Sequence, residues 1–235
     1  MNRLTQHLVL VLVGGFALAV GLGDAYLRYV QAGFRPLLLA AAGVMVVVGV
    51  TGMLRERRRP APGHDHPGPR VSWLLVLPVV VLILVPPSAL GSYVAARQAQ
   101  PVVVPDSEQH PGDLGPDDPG TDSRTMSVLE YSLRSLAQDT TSLDGRQVRL
   151  VGFVTPRDDG GWYLSRVMIK CCAADAVPVN VVVDGPRGAL RADQWVEVVG
   201  VRIPARPHPT AGYPEPVLDP VSVAPVERPA DTYEG

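Results

Sequence analysis

Three long apolar runs lie within the first 93 residues, and they constrain the fold of this chain more than any other feature. The run over residues 36–54 has nineteen residues and no charged side chain. An α-helix needs about 20 such residues to cross the hydrocarbon core of a bilayer. With further apolar runs over residues 8–29 and 73–93, the sequence predicts a membrane anchor of three spans within residues 1–94.

The first run has a second interpretation, because a small-residue sequence, Ala17-Leu18-Ala19, follows its apolar core as in a cleaved signal peptide. Cleavage would leave the final topology unchanged. The arginine-rich sequence over residues 55–59 follows the second span and favours a cytoplasmic loop. The sequence therefore predicts a multi-pass protein of the cell membrane, with a cytoplasmic amino terminus and an extracytoplasmic C-terminal domain.

The charge of the chain is divided between its two parts. Residues 1–91 carry eight arginines and three acidic residues, whereas residues 92–235 carry thirteen basic and twenty acidic residues. A membrane anchor joined to an acidic water-soluble part has this asymmetry. An acidic soluble part predicts no nucleic-acid binding, because nucleic acid requires a basic surface.

Residues 95–125 are rich in Pro, Asp, Gly and Ser. This composition buries too little apolar surface to offset chain entropy and predicts a flexible acidic linker. The following part is assigned to a β domain over residues 126–225, and residues 226–235 to a tail.

The β domain is predicted from short β-prone runs bounded by Gly, Pro and Asp clusters. The predicted strands cover residues 147–155, 162–170, 177–183, 195–203 and 217–223. Before them, Ser127 and Glu130 fit a capping box at the start of a short helix. The predicted apolar face of this helix contains Met126, Leu129, Leu133 and Leu136. The fold class is thus an α-helical membrane anchor followed by a small, mainly-β barrel of the oligonucleotide/oligosaccharide-binding (OB) type with one accessory helix.

The two cysteines of the chain, Cys171 and Cys172, are adjacent. Neighbouring residues of a strand point to opposite faces, so one thiol is expected to be accessible. A disulfide between neighbours is disfavoured because its ring departs from ordinary disulfide geometry.

Three interpretations of this pair stay open. Both cysteines pack in the core, or they bind a metal with Asp175 and a more distant His208, or one is a reactive thiol activated by Lys170 or Arg166.

Other candidate binding residues are two tryptophans and two histidines. Trp162 and Trp195 are candidates for a ligand-stacking surface, although aromatic residues in strands more often pack in the core. His64 and His66 flank Asp65 and could bind zinc, although a plain Pro/Gly linker is the alternative. We find no carboxylate pair, Ser/His/Asp arrangement or phosphate-binding glycine loop, and we therefore expect no catalytic residues and no enzyme activity.

The sequence resembles the YcgQ-like two-component permease subunit family over nearly its full length. The most specific shared motif is Cys171-Cys172-Ala173-Ala174-Asp175-Ala176. The other motifs that carry the resemblance are Tyr29-Val30-Gln31, Leu143-Asp144-Gly145-Arg146, Val151-Gly152-Phe153-Val154 and Trp195-Val196-Glu197-Val198-Val199-Gly200. The resemblance implies an accessory subunit whose partner is a separate multi-spanning permease subunit.

The sequence thus predicts a membrane-anchored permease subunit with an outer domain that binds a substrate or the partner. Cys171, Cys172 and Asp175 would form the binding point, with a transition metal such as zinc. The alternative function is an extracytoplasmic thiol redox protein or metallochaperone that uses Cys171 or Cys172.

Overall fold

A computed structural model describes residues 3–58, 81, 90–98 and 100–234. The chain divides into two compact units, Met1–Ala89 and Leu90–Gly235. The first unit contains helices α1 (Arg3–Leu22) and α2 (Arg35–Arg57). The second contains α3 (Ser92–Arg97), β1 (Ser123–Thr125), α4 (Val128–Leu136), β2 (Gln147–Pro156), β3 (Trp162–Met168), β4 (Val177–Val183), β5 (Trp195–Pro207), β6 (Pro214–Pro225) and β7 (Tyr233–Glu234).

Helices α1 and α2 form an antiparallel hairpin in which glycines allow close approach. A Cβ atom at Gly14 would lie 2.9 Å from Val46 Cγ2, and one at Gly49 would lie 2.6 Å from Val11 Cγ2. Small residues at such contacts are typical of helices that associate in lipid, where van der Waals packing replaces the hydrophobic effect.

Polar side chains join the helices at both ends of this hairpin. The Arg35 guanidinium donates hydrogen bonds to the carbonyl oxygens of Gly21 at 3.0 Å and Leu22 at 3.1 Å, and so caps the carboxyl end of α1. At the other end, His7 Nε2 lies 3.6 Å from Glu56 Oε2. Neither contact was predicted from the sequence.

Within the described residues, one helix is long and apolar enough to cross a membrane. It covers Ala32–Arg57, which is α2 with the short 3₁₀ turn before it, and an 18-residue window within it has a mean hydropathy of 2.4. The apolar part of α1, Gln6–Leu22, is shorter. The predicted third span over residues 73–93 lies outside the described residues, except for residues 81 and 90–93. The structure therefore supports one candidate span, and the three-span topology stays a prediction.

Five strands of the second unit close into a barrel in the order β2–β5–β6–β4–β3, and β3 pairs back onto β2. Neighbouring strands are antiparallel, except for the parallel pair β4–β6. The predicted five-stranded barrel is confirmed. All five strands contribute to its core through the buried side chains Leu150, Leu164, Val181, Val198 and Leu218.

Helix α4 begins where the capping box predicted, because Ser127 Oγ accepts a hydrogen bond from Glu130 N at 2.9 Å. Its buried face, however, agrees only in part with the predicted one, because Met126 is buried in the core cluster and Leu129 packs against that cluster, but other residues of the helix are buried more deeply. The residues turned inward are Val128, Tyr131, Ser132 and Ser135, whereas Leu129, Leu133 and Leu136 are half-buried.

Tyr131 and Ser132 tolerate burial on this face because their hydroxyls find partners inside the protein. The Tyr131 hydroxyl donates to the carbonyl of Val217 at 2.6 Å, and Ser132 Oγ donates to the carbonyl of Val128 at 2.7 Å. A prediction based on apolar residues alone therefore found only part of the buried face.

The acidic segment, residues 100–122, has an irregular backbone but contacts the barrel unit along its length. Leu114 is 5% exposed and belongs to the core cluster. Arg134 Nη1 donates to the carbonyl of Gly112 at 2.8 Å, and Arg146 Nη1 donates to that of Gly115 at 2.7 Å. The composition predicted a spacer, whereas the structure places this segment on the surface of the barrel unit.

Helix α3 precedes the acidic segment and is docked on the barrel. Ala95 is fully buried, and its carbonyl accepts a hydrogen bond from Asn180 Nδ2 at 3.1 Å. The backbone N–H of Ser92 donates to Asp193 Oδ1 at 2.6 Å. Asp193 has a φ of 63°, an unusual conformation for a residue other than glycine.

The predicted tail ends in strand β7, which pairs in parallel with the end of β3. The partners are Tyr233 with Val167 and Glu234 with Met168. The next residue along β3, Ile169, donates its N–H to the carbonyl of Glu234 at 2.9 Å. Strand β7 thus holds the chain in place immediately before the cysteine motif.

Candidate functional site

The cysteine motif forms a tight loop, residues 170–176, between β3 and β4. The loop contains a single 3₁₀ turn, Ala173–Asp175, closed by a hydrogen bond from Asp175 N to the carbonyl of Cys172 at 3.0 Å. This turn folds Asp175 back onto the start of the loop. We call residues 170–176 the Cys loop.

Asp175 organises the Cys loop. One carboxylate oxygen, Oδ1, accepts the N–H of Lys170 at 2.9 Å, and the other, Oδ2, accepts the N–H of Cys171 at 2.9 Å. The Cys171 thiol also lies 2.9 Å from Oδ2 and donates to it. The thiol first and then the Lys170 N–H lower the pKa of Asp175, because both stabilise the ionised carboxylate.

The two thiols are free and adjacent in space. Cys171 Sγ and Cys172 Sγ lie 3.7 Å apart, well beyond the length of a disulfide bond. Cys171 is exposed and Cys172 is half-buried. One ligand atom from each of Cys171, Cys172 and Asp175 falls within 4.8 Å of the others. This spacing allows the three donors to share one metal ion once both thiols are deprotonated.

The same geometry argues against a reactive thiol. The hydrogen bond to Asp175, followed by the neighbouring Cys172 thiol, raises the pKa of Cys171 to about 11. A reactive cysteine needs the opposite shift, produced by a positive neighbour. Arg166, one of the two predicted activators, lies instead against Glu234 and donates to the carbonyl of Tyr233 at 3.1 Å.

We therefore expect Asp175→Ala to accelerate alkylation of Cys171 at pH 8, in a Cys172→Ser background, by about 10- to 100-fold. Without the carboxylate, the pKa of Cys171 falls toward its ordinary value and the thiolate population rises. The rate of iodoacetamide labelling between pH 6 and 10 measures this change. Asp159→Asn is the matched control, because Asp159 lies in the turn at the other end of β3, and equal rates in all three proteins would contradict the assignment.

The structure does not form the predicted tryptophan surface. Trp162 is 2% exposed and belongs to the barrel core, whereas Trp195 is half-buried. The ring of Trp195 meets Phe153 edge-on at 5.7 Å, and the Arg166 guanidinium lies 5.1 Å from its centroid. Both tryptophans therefore have packing roles in the described unit.

The structure does not group His208 with the donors of the Cys loop. His208 lies in the turn between β5 and β6, where its ring stacks on Tyr213 at 4.8 Å and Nδ1 accepts the N–H of Ala211 at 3.1 Å. His64 and His66 lie outside the described residues.

Sequence reasoning missed two buried ion pairs beside the strands. Arg166 Nε lies 3.4 Å from Glu234 Oε1, with both side chains 10% exposed. The Glu234 carboxylate also accepts the N–H groups of Val128 and Leu129 at 2.9 and 3.0 Å, which caps α4. A charged residue inside an apolar strand is the sequence signal that could have indicated Arg166.

The second pair lies at the start of β3, at the opposite end of this strand from the Cys loop. Tyr163 donates its hydroxyl to Glu215 Oε1 at 2.8 Å, and Arg157 Nη1 lies 3.6 Å from Glu215 Oε2. Arg157 and Glu215 line a cleft of about 410 Å³, where Arg206 pairs with Asp184 at 2.8 Å. Because each guanidinium lies against a carboxylate, these charges neutralise one another and fix the loops to the strands.

A comparison with known families finds one match, which covers the barrel. Residues 126–234 match the DUF1980 C-terminal domain. The match begins just before α4, contains the whole barrel and the Cys loop, and ends at β7. It agrees with the YcgQ-like resemblance at the level of this domain. No curated protein and no solved structure matches the chain.

Proposed function

We propose that this chain is a membrane-anchored accessory subunit of a two-component permease, and that its barrel domain binds a transition metal through Cys171, Cys172 and Asp175. The observation that carries the proposal is the convergence of these three donors within 4.8 Å in one short loop. The metal would be cargo or a recognition signal for the partner, and no enzyme activity is assigned to the chain.

The Cys loop supports metal binding because its donors are already oriented. Two backbone N–H groups hold the carboxylate of Asp175 beside the thiols, so little rearrangement is needed when a metal binds. The Cys171 proton that now points at Asp175 would be released to solvent. The exposure of Cys171 gives a metal ion access from solvent.

Membrane anchoring is supported by the apolar helix over Ala32–Arg57 and by the charge difference between the two parts of the chain. The three-span topology, the extracytoplasmic side of the barrel and its OB type complete the proposal. The permease partner is inferred from the YcgQ-like resemblance, to which the DUF1980 domain match adds support at the level of the barrel.

The thiol redox alternative receives less support from the site. Its nucleophile would need to be a thiolate at neutral pH, whereas the hydrogen bond to Asp175 raises the pKa of Cys171. A metallochaperone would use the same three donors without a permease, so the partner distinguishes it from the proposed subunit.

The test is purification of the tagged full chain from membranes, followed by elemental analysis and identification of co-eluting proteins. We expect about one metal ion per chain, lost in the Cys171→Ser, Cys172→Ser double variant. A multi-spanning permease should co-elute with both proteins. A metal content that the double variant retains would refute the site, and a chain that is abundant in membranes without a permease would refute the subunit assignment.

A further inference from the structure

The donor set of the Cys loop is chemically mixed, and this restricts the metal it can prefer. Two sulfur donors suit soft or borderline ions such as Cu(I) and Zn(II), whereas a carboxylate suits harder ions. Zinc accepts cysteine, histidine and carboxylate ligands in one tetrahedral site. A Cu(I) ion gains little from the Asp175 carboxylate, because two sulfur ligands are enough to complete its coordination.

The position of the Asp175 carboxylate also suits a metal ligand. Its Oδ2 lies 2.9 Å from Cys171 Sγ, on the side of the carboxylate that faces the thiols. Its Oδ1 is held by the N–H of Lys170. Replacing the S–H contact by a metal–sulfur bond leaves Oδ2 beside the same ion.

Three donors leave a tetrahedral ion incomplete. Among the residues that the structure describes, no further Cys, His, Asp or Glu joins the group of Cys171, Cys172 and Asp175. Structural zinc sites have four protein ligands, whereas sites that act on or exchange a ligand keep one position open. Cys171 is exposed, so a ligand from solvent can reach an ion held by these donors.

We infer that the Cys loop is an exchange site for a zinc-class divalent cation, held by Cys171, Cys172 and Asp175, with its fourth position filled by a ligand from outside the chain. This inference rests on the proposed metal-binding function and adds the metal class and the open position. Binding converts two thiols into two metal-bound thiolates and releases two protons to solvent, and the metal keeps its oxidation state. Transfer to a partner proceeds when a partner donor enters the open position and a loop donor leaves.

The experiment compares Zn²⁺ and Cu⁺ affinities of the purified full chain in detergent, by chelator competition under reducing conditions. We expect Asp175→Asn to weaken Zn²⁺ binding by at least about 10- to 100-fold, while Cu⁺ affinity changes by less than about 3-fold. Unchanged Cu⁺ binding also shows that the loop remains folded. Asp159→Asn is the control and should leave both affinities unchanged.

The open position is tested in the same preparation with Co²⁺ as the probe. Imidazole should enter the fourth position and change the Co²⁺ absorption spectrum of the wild type, and His64→Ala, His66→Ala should retain both the spectrum and the Zn²⁺ affinity. If Asp175→Asn leaves Zn²⁺ binding intact, or the double histidine variant weakens it as Asp175→Asn does, the inference is overturned while the metal site stands. If neither metal binds the wild type, the proposed function itself fails.

Discussion

Replacing Glu234 with alanine is expected to destabilise the barrel unit by about 3–5 kcal/mol, because the change leaves a buried guanidinium without its carboxylate. Arg166 is 8% exposed, and burial lowers its pKa, although nearby acidic groups oppose this shift. The substitution also removes the acceptor for the N–H groups of Val128 and Leu129 at the start of α4. Urea unfolding of the full chain in detergent, followed by tryptophan fluorescence, measures the loss.

A double variant distinguishes the effect of the unpaired buried charge on stability from the effect of lost packing. We expect Arg166→Met combined with Glu234→Met to recover a large part of the loss, because no unpaired charge stays buried and the volume is kept. Glu234→Gln should lie between the two, since its amide oxygen still accepts an N–H from α4. A loss of less than about 1 kcal/mol in Glu234→Ala would show that Arg166 finds another partner or water.

The second large effect is expected at Tyr131, which is fully buried between α4 and the barrel. Tyr131→Ala should cost about 3–5 kcal/mol, through lost apolar contact and a cavity. Tyr131→Phe keeps the ring but leaves the carbonyl of Val217 without its donor, and should cost about 1–3 kcal/mol. Burial raises the pKa of Tyr131, so its hydroxyl stays protonated and the contribution should be independent of pH between 6 and 9.

Leu133→Ala on the same helix is the matched control, because it tests which face of α4 is buried. Leu133 is half-buried, so its truncation should cost about 1 kcal/mol, clearly less than that of Tyr131. Thermal or urea unfolding of the three variants ranks their losses of stability. If Leu133→Ala were the most damaging, the helix would present the face predicted from its apolar pattern.

These helix residues show where sequence reasoning reaches its limit. The capping residue Ser127 was predictable because its partner, Glu130, is three residues away. The buried face was not, because Tyr131 and Ser132 are polar by type and become buried only through partners inside the protein. One of those partners, Val217, lies 86 residues further along the chain.

The strands were more predictable, because alternation and turn residues are local signals. Strand β4 has the predicted bounds, residues 177–183. Strands β5 and β6 are longer than predicted, since Arg206 pairs with Glu215 and Pro207 with Pro214 beyond the apolar runs. Pairing in a hairpin extends these strands into residues that carry no β pattern of their own.

The Cys loop was predictable in content but not in geometry. The sequence placed Cys171, Cys172 and Asp175 within five residues, which made a shared site conceivable. The turn that brings the carboxylate to the thiols, and with it the raised pKa of Cys171, depends on backbone hydrogen bonds. The support of the loop by β7 is a contact distant in sequence, with no local signal.

Because α3 is docked on the barrel, the acidic segment does not act as a flexible tether. A free chain of about 25 residues has a root-mean-square end-to-end distance of roughly 25–30 Å and would let the barrel move over that distance. Here Ala95 is anchored before the segment, and β1 pairs with β2 after it, so both ends are fixed to one body. The segment therefore closes a loop on the barrel unit and does not extend the reach of the Cys loop.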